Sequence, residues 1–166
     1  ISSAYCPKRF QYGKGNDIRF IFERIGYSAK MNELEAAIGL GNLQIYDEIL
    51  ERRRKNLIYL LNGLKKFNSY FYSIEEGTDE RIGPHAFPII LKEEVKFSRD
   101  ELVNFLEKCG IDTRNLFSSM PTQCPGFKFL GYKLGDFPNA EYIGNNGFHI
   151  GIHQNLTKRH LVYFLK

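Results

Sequence analysis

A long helical pattern constrains this chain more than any other feature. No proline lies between Asn32 and Phe67, and the apolar residues of this span recur close to the 3.6-residue period of an amphipathic helix. Asn32 can cap the first turn, and Glu35 follows at the spacing of a capping box. The sequence therefore predicts one long or slightly bent helix over residues 32–67, of a length that suits a connector between two parts of a molecule.

The entry to this predicted helix and its first turns have unusual residues. A Gly-Tyr-Ser loop at 26–28 and a lysine at 30 precede the helix N-terminus, where free backbone N–H groups suit an anion such as a phosphate. From the residues alone, an ordinary loop entering an ordinary helix is the favoured interpretation. Gly39 and Gly41 each cost about 1 kcal/mol of helix stability relative to alanine, so we expect close packing against a neighbouring backbone there.

Composition bounds the class of protein. The chain has 166 residues, 43% apolar residues and a net charge of +4, which indicates one globular domain or a piece of a larger one. The charge is mild, and Glu48 and Glu51 precede the basic run 52–55, so we interpret that run as a salt-paired, solvated helix face. We expect no nucleic-acid partner, and no apolar run reaches membrane-spanning length.

The cysteines and the first residue give two further expectations. Cys6, Cys109 and Cys124 form no CxxC pair, so we expect a reducing, cytoplasmic location and no disulfide framework. The chain begins at Ile1 and enters an irregular stretch with no helical or strand period. We therefore expect it to be cut from something longer.

The second half alternates short strand and helix patterns. A strand is predicted at His85–Leu91, a helix from the Ser98 capping box to Gly110, a short strand at 111–114, a helix at 138–146, a strand at 148–152 and a final helix capped by Thr157. An ordered, proline- and aromatic-rich excursion is expected at 115–137. Three short strands with helices between them predict an α+β layer, with the helices on one face of a mostly antiparallel sheet.

Few residues suggest chemistry by themselves. His149 and His153 alternate within a predicted strand, too far apart to share one metal ion, so we expect no metal site. A neutral, hydrogen-bonded histidine in a sheet is the default interpretation for each. Arg114 follows a short strand and precedes the aromatic excursion, so it is either a surface residue or a clamp for an anion. No acid–base pair and no nucleophile motif is visible.

Several segments resemble one family. GYSAKMNELEAAIG, followed by an ERR run, resembles the segment after the active-site strand in the DegT/DnrJ/EryC1/StrS sugar aminotransferases. The segments SRDELVNFLEKCGIDTR and FHIGIHQNLT resemble that family's small-domain helix and strand and its C-terminal ending. CPKRF, PTQCPGF and NNGFHIGIHQNL resemble its dehydratase branch, which removes the 3-hydroxyl of nucleotide-linked 4-keto-6-deoxy sugars.

The resemblance implies the fold class and the domains. It implies an α+β chain: a long connecting helix plus the small C-terminal domain of a type I pyridoxal-phosphate transferase. Residues 1–31 would be an irregular remnant of the large domain with a cofactor-facing loop. Residues 32–67 would be the connecting helix, and residues 68–166 the small domain.

The resemblance also implies an activity. The expected enzyme uses pyridoxal phosphate (PLP) or its amine form (PMP) on a nucleotide-linked 4-keto-6-deoxy sugar, in deoxysugar or surface-polysaccharide synthesis. Dehydration and transamination both remain open, with a preference for dehydration. The catalytic lysine or histidine lies in the family's large domain, so we expect no catalytic residue in this chain and no activity from it alone. The alternative is a non-catalytic regulatory or oligomerisation remnant of the same fold.

The family's binding residues carry over to four positions. Ser28 and Lys30 match residues that reach across a homodimer towards the neighbour's cofactor phosphate, although the family usually has Asn and Arg there. Arg114 and His85 match positions near the nucleotide-sugar substrate. Cys6 stands where one iron–sulfur-dependent group has its last cluster ligand. Because residues 2–4 contain no companion cysteine, we expect no cluster.

Overall fold

The computed structural model describes residues 32–116 and 120–166, which form two successive helices and then a sheet with further helices. The α-helices of this part are α1 (Glu33–Leu43), α2 (Tyr46–Leu64), α3 (Arg99–Lys108), α4 (Pro138–Asn146) and α5 (Lys158–Phe164). Its strands are β1 (Phe71–Tyr72), β2 (Ala86–Leu91), β3 (Thr113–Asn115) and β4 (Gly147–Gly151). Short 3-10 helices cover Lys65–Phe67, Pro121–Gln123 and Pro125–Leu130.

The four strands form one antiparallel sheet in the order β1-β2-β4-β3. This confirms the predicted α+β class. The strand patterns at 85–91, 111–114 and 148–152 correspond to β2, β3 and β4. The sequence analysis missed β1, because two residues are too few to show a period of two.

One face of the sheet carries the core. Phe87 and Ile89 of β2 are paired with Ile150 and Phe148 of β4, and all four are buried, so they share a face. They belong to one cluster with buried leucines of α2, α3 and α5: Leu57, Leu60, Leu64, Leu106, Leu161 and Leu165. Full burial of a leucine contributes about 1.5–3 kcal/mol, so the sheet and these helices stabilise each other.

The predicted helix over residues 32–67 is divided in the structure. It ends as α1 at Leu43, resumes as α2 at Tyr46 and tightens into a 3-10 turn at Lys65–Phe67. Ile45 has φ −118° and ψ 17°, which lies outside the α-helical region. The expectation of one continuous helix therefore gives way to two helices joined at residues 44–45.

Several predicted helix ends are confirmed. Asn32 with Glu35 and Ser98 with Glu101 each form the two hydrogen bonds of a capping box. A third box at Thr157 opens α5. After α3 the chain turns at Gly110 with φ 78°, a left-handed conformation that glycine adopts without penalty.

Helix α1 has no buried residue. Leu34, Ile38 and Leu40 are 71%, 58% and 65% exposed. Within the described residues no atom lies within 4 Å of a Cβ added at Gly39 or Gly41, so the close packing expected at these glycines is not made by this part of the chain. No helix in residues 32–116 and 120–166 is long and apolar enough to cross a membrane.

Only two of the four residues in the basic run 52–55 lie on a solvated helix face. Arg52 pairs with Glu48 at 2.8 Å and Lys55 with Glu51 at 3.2 Å, as the i, i+4 spacing predicts. Arg53 and Arg54 are instead half-buried and bind loops far away in the sequence. The prediction was wrong for these two, because α2 packs on the sheet along the flank that carries them.

Candidate functional site

The second face of the sheet, opposite the core, carries the candidate site. Side chains alternate between the two faces of a strand, so this face is formed by the positions between the core residues. They are Ala86, Pro88 and Ile90 in β2, Arg114 in β3, and Gly147, His149 and Gly151 in β4. Two of these seven residues are polar, and none of the seven is a carboxylate or a lysine.

Arg114 and His149 are adjacent on this face. They are directly opposed in the pairing of β3 with β4, and Pro88 is opposed to His149 from β2. Directly opposed residues have Cβ atoms about 4.5–5.5 Å apart. Arg114 is exposed and His149 is half-buried. We call Arg114, His149 and Pro88 the cross-strand row.

The His149 imidazole is favoured in its neutral form. Burial lowers its pKa below the usual 6.5, and the charges of His85 and Arg114 lower it further. The neutral ring has one N–H donor and one acceptor nitrogen. The row thus presents a permanent cation beside a neutral hydrogen-bonding group. That arrangement suits an anionic ligand that also has hydroxyl groups.

Arg114 has no counterion in the described structure. The ion pairs of residues 32–116 and 120–166 involve other arginines and lysines, and no side-chain hydrogen bond of Arg114 is formed there. An unpaired guanidinium presents five N–H donors in a planar fork that matches a phosphate or carboxylate. As far as residues 32–116 and 120–166 are concerned, the Arg114 guanidinium is left to solvent or to an external anion.

His85 lies at the edge of the same site. It is exposed and immediately precedes β2, and its charge acts on His149. The structure thus brings together both sequence-predicted substrate residues, His85 and Arg114. It adds His149, which sequence reasoning treated as a structural histidine. The signal that could have identified it is the glycine two positions away on either side.

Those two glycines flank His149 on the second face. A Cβ at Gly147 would lie 2.4 Å from the Ile143 carbonyl oxygen and 2.6 Å from Leu116 Cδ1, so a larger residue would collide with the backbone. A Cβ at Gly151 would have nothing within 4 Å. Along β4, His149 therefore lies between a crowded position at Gly147 and an open position at Gly151.

His153 was expected to share a strand with His149, but it lies beyond the end of β4. Its Nδ1 accepts a hydrogen bond from the Asn155 N–H at 3.2 Å. Within the described part of the chain, no group of three or more His, Cys, Asp or Glu side chains could hold a metal ion.

The excursion after β3 is ordered where the structure describes it. Glu141 of α4 accepts hydrogen bonds from the Gln123 side chain at 2.7 Å and from the Gly135 N–H at 2.9 Å. These contacts lower the pKa of Glu141, the Gln123 bond most. Phe129 and Leu134 are left 70% and 80% exposed, so this excursion presents apolar side chains on the surface.

A groove of about 930 Å³ lies elsewhere, beside α5. Its lining includes Ile111, Gly151, Leu156, Leu161 and Tyr163. Arg114, His149 and His85 do not line it. Because its walls are mainly apolar and it lacks the cross-strand row, we do not assign the candidate site to it.

Three sequence-predicted residues lie outside the described residues. They are Ser28 and Lys30, expected at a neighbour's cofactor phosphate, and Cys6, at which no cluster was expected. The cofactor-binding half of the predicted site therefore stays a prediction.

The chain matches a known family over nearly its whole length. The model of the DegT/DnrJ/EryC1/StrS aminotransferase family matches residues 5–165. Lipopolysaccharide biosynthesis protein RfbH of Salmonella typhimurium is 37% identical over 95% of this chain and 38% of its own length. GDP-4-keto-6-deoxy-D-mannose 3-dehydratase of Yersinia pseudotuberculosis is 33% identical over 81% of this chain and 34% of its own.

A solved structure resembles the fold. GDP-4-keto-6-deoxymannose-3-dehydratase with a trapped PLP-glutamate geminal diamine has a TM-score of 0.67 and 26% identity, covering 89% of this chain and 38% of that one. The chain therefore spans somewhat over a third of the length of these relatives.

Proposed function

This chain belongs to the DegT/DnrJ/EryC1/StrS aminotransferase family, and we propose that it is the C-terminal part of a PLP-dependent enzyme acting on a nucleotide-linked 4-keto-6-deoxy sugar. In this proposal Arg114 binds the diphosphate of the substrate, and His149 and His85 hydrogen-bond its sugar. The product would serve deoxysugar or surface-polysaccharide synthesis. We also propose a cytoplasmic location, because the three cysteines of the sequence form no CxxC pair and no disulfide framework.

The cross-strand row is the observation that carries this proposal. A nucleotide-linked sugar joins a doubly charged diphosphate to a ring of hydroxyl groups. An unpaired guanidinium beside a neutral imidazole offers a partner for each of these two parts. An ordinary surface arginine is the alternative interpretation of Arg114, and its position opposite His149 favours the anion clamp.

The described residues do not fit the cofactor itself. The second face has no lysine that could form a Schiff base and no carboxylate that could face a pyridine nitrogen. When bound, PLP supplies an electron sink at the sugar carbon that bears the nitrogen. We assign its anchoring to the preceding part of the protein and, through Ser28 and Lys30, to a neighbouring subunit. The catalytic lysine or histidine belongs to that preceding part, so this chain alone would be inactive.

We propose a homodimer because α1 presents its apolar side chains without a partner in the described chain. Leu34, Ile38 and Leu40 are more than half exposed, and glycines 39 and 41 leave room for another backbone. A second copy seated on α1 would bring Ser28 and Lys30, which precede this helix, towards the neighbour's cofactor.

We favour 3-dehydration over transamination. A 3-dehydratase is among the relatives above 30% identity, and a 3-dehydratase structure shares the fold at 26% identity. Transamination is the second candidate, since the matching family is described as an aminotransferase family. A third possibility is a non-catalytic regulatory or oligomerisation remnant, which the substitutions at Ser28 and Lys30 permit.

The experiment is a spectrum and an activity assay on the full-length protein. With PLP added, we expect an absorbance band of bound cofactor that shifts when an amino donor is supplied. Incubation with GDP-, dTDP-, CDP- and UDP-linked 4-keto-6-deoxyhexoses should convert one of them to the 3-deoxy product. Transfer of an amino group instead would support the second candidate. No band and no conversion at saturating PLP would leave the non-catalytic alternative.

A further inference from the structure

Two side chains of α2 bind the two loops at one end of the sheet. Arg53 Nε donates to Gln154 Oε1 at 3.0 Å, and its Nη1 donates to the Pro84 carbonyl oxygen at 3.4 Å. One helical turn later, Asn56 Nδ2 donates to the His153 carbonyl oxygen at 3.0 Å. We call Arg53 and Asn56 the α2 clamp.

The loops held by the clamp flank the candidate site. Ala86 opens β2 and is paired with Gly151, which closes β4. His85 immediately precedes that pair, and His153 follows it by two residues. Arg53 reaches both loops at once. The clamp therefore ties the loop that carries His85 and the loop after β4 to the same helix.

The hydrogen bonds of these two residues attach loops to α2 and do not stabilise the helix itself. Asn56 is only 8% exposed and lies next to the buried Leu57 on the helix, where an apolar residue would stabilise the core more. Its amide nevertheless points to a loop carbonyl. Arg52 and Lys55, on the same helix, make only i, i+4 pairs with the helix itself. Contacts to distant loops are thus made by some polar residues of α2 and not by others.

Arg54 offers an informative contrast. Its Nη1 and Nη2 bind both oxygens of Glu76 at 2.6 and 2.9 Å, and Nη1 also donates to the Ile82 carbonyl oxygen at 2.9 Å. These partners lie in the segment leading to β2, and none of them lies after β4. Arg54 therefore holds one loop to the helix, whereas Arg53 joins two loops across the end of the sheet.

We propose that Arg53 and Asn56 are positioning residues for substrate binding: they hold His85 at its place relative to Arg114 and His149. The inference rests on the proposed function of the cross-strand row. Neither residue touches substrate. Their effect is on the geometry of groups that do, since a hydrogen bond to sugar is lost when a donor moves by more than a few tenths of an ångström.

The test uses the full-length protein with the sugar nucleotide that the wild type converts. Arg53→Ala and Asn56→Ala should each raise KM about tenfold, the effect of one or two lost hydrogen bonds, and change kcat by less than about twofold. Arg53→Lys should recover part of the loss, because an ammonium can still reach one acceptor. Arg52→Ala is the matched control and should leave both constants unchanged.

Amide hydrogen exchange gives a second readout that does not need turnover. Arg53→Ala should speed exchange both at 82–86 and at 152–156, whereas Arg54→Ala should speed it only in the first segment. If Arg53→Ala raises KM no more than Arg54→Ala for the same loss of stability, the clamp is merely structural and the inference is wrong. Unchanged KM in Arg53→Ala with an active wild type would also overturn it. An inactive wild type would instead count against the proposed function.

Discussion

Arg114 of β3 and His149 of β4 lie directly opposite each other on the face of the sheet that looks away from the core. The guanidinium is exposed and finds no carboxylate among the described residues. The imidazole is half-buried, and burial first, with the neighbouring His85 and Arg114 next, lowers its pKa and so favours its neutral form. An exposed guanidinium beside a neutral hydrogen-bonding ring offers a diphosphate a charged partner and a hydrogen-bonding partner.

The crowding around Gly147 predicts that one added methyl group has a large effect on the stability of the protein. In Gly147→Ala, the new Cβ would lie 2.4 Å from a backbone oxygen, so the strand or helix α4 must shift. We expect the free energy of unfolding to fall by about 1–3 kcal/mol, measured by urea denaturation.

The matched control lies four residues further along β4. Gly151→Ala places its Cβ in open space, and we expect a change within about 0.5 kcal/mol. Equal losses in the two variants would show that the collision at 147 does not exist.

A carboxylate–arginine pair predicts how stability responds to acid. The hydrogen bond from Arg54 is the largest cause that lowers the pKa of Glu76 to about 2, and the Ile82 N–H contributes next. A carboxyl whose folded pKa lies below its unfolded value of 4.5 stabilises the protein fully above that value. The contribution should be lost as the pH falls from 4.5 towards 2.

Glu76→Gln should remove this part of the acid dependence. Unfolding curves between pH 6 and pH 2 would show a shallower decline for the variant than for the wild type. Glu48→Gln, whose pair with Arg52 is well exposed, serves as the control and should leave the decline unchanged. Parallel curves for Glu76→Gln and the wild type would contradict the assignment.

How far the sequence determined the fold differs from element to element. The capping boxes at Asn32 and Ser98 and the helix at 138–146 were predictable, because caps and proline act over three or four residues. The interruption at Ile45 and the two-residue strand β1 were not, since neither leaves a periodic signal. Tertiary packing decides both.

The residues of the candidate site, too, were predictable from the sequence only in part. His85 and Arg114 came from family resemblance, and the structure places both near His149. The role of His149 depends on strand register, which a one-residue slip would invert, so no local pattern could supply it. Arg53 and Asn56 were hidden within a basic run and a helical period, because their partners lie 31 to 101 residues away.

The exposed face of α1 predicts that the full-length protein dimerises through it. Ile38→Glu would place a charge on an apolar surface that we expect a second copy to bury. Sedimentation velocity should show a shift from dimer to monomer at micromolar concentration. Asn62→Glu, at an exposed position of α2, should remain a dimer. A dimer of undiminished stability in Ile38→Glu would place the interface elsewhere.

The affinity of the full-length protein for its sugar nucleotide, with and without Arg114, tests the central claim most directly. Titration calorimetry with the GDP-, dTDP-, CDP- and UDP-linked 4-keto-6-deoxyhexoses identifies the ligand of the wild type. Arg114→Ala should bind that ligand about 10- to 100-fold more weakly, since a charge-assisted hydrogen bond contributes about 1.5–3 kcal/mol. Arg114→Lys should fall between the two, because it keeps the charge and loses the planar fork. Equal affinities of wild type and Arg114→Ala, or no binding by the wild type, would contradict a substrate site at the cross-strand row.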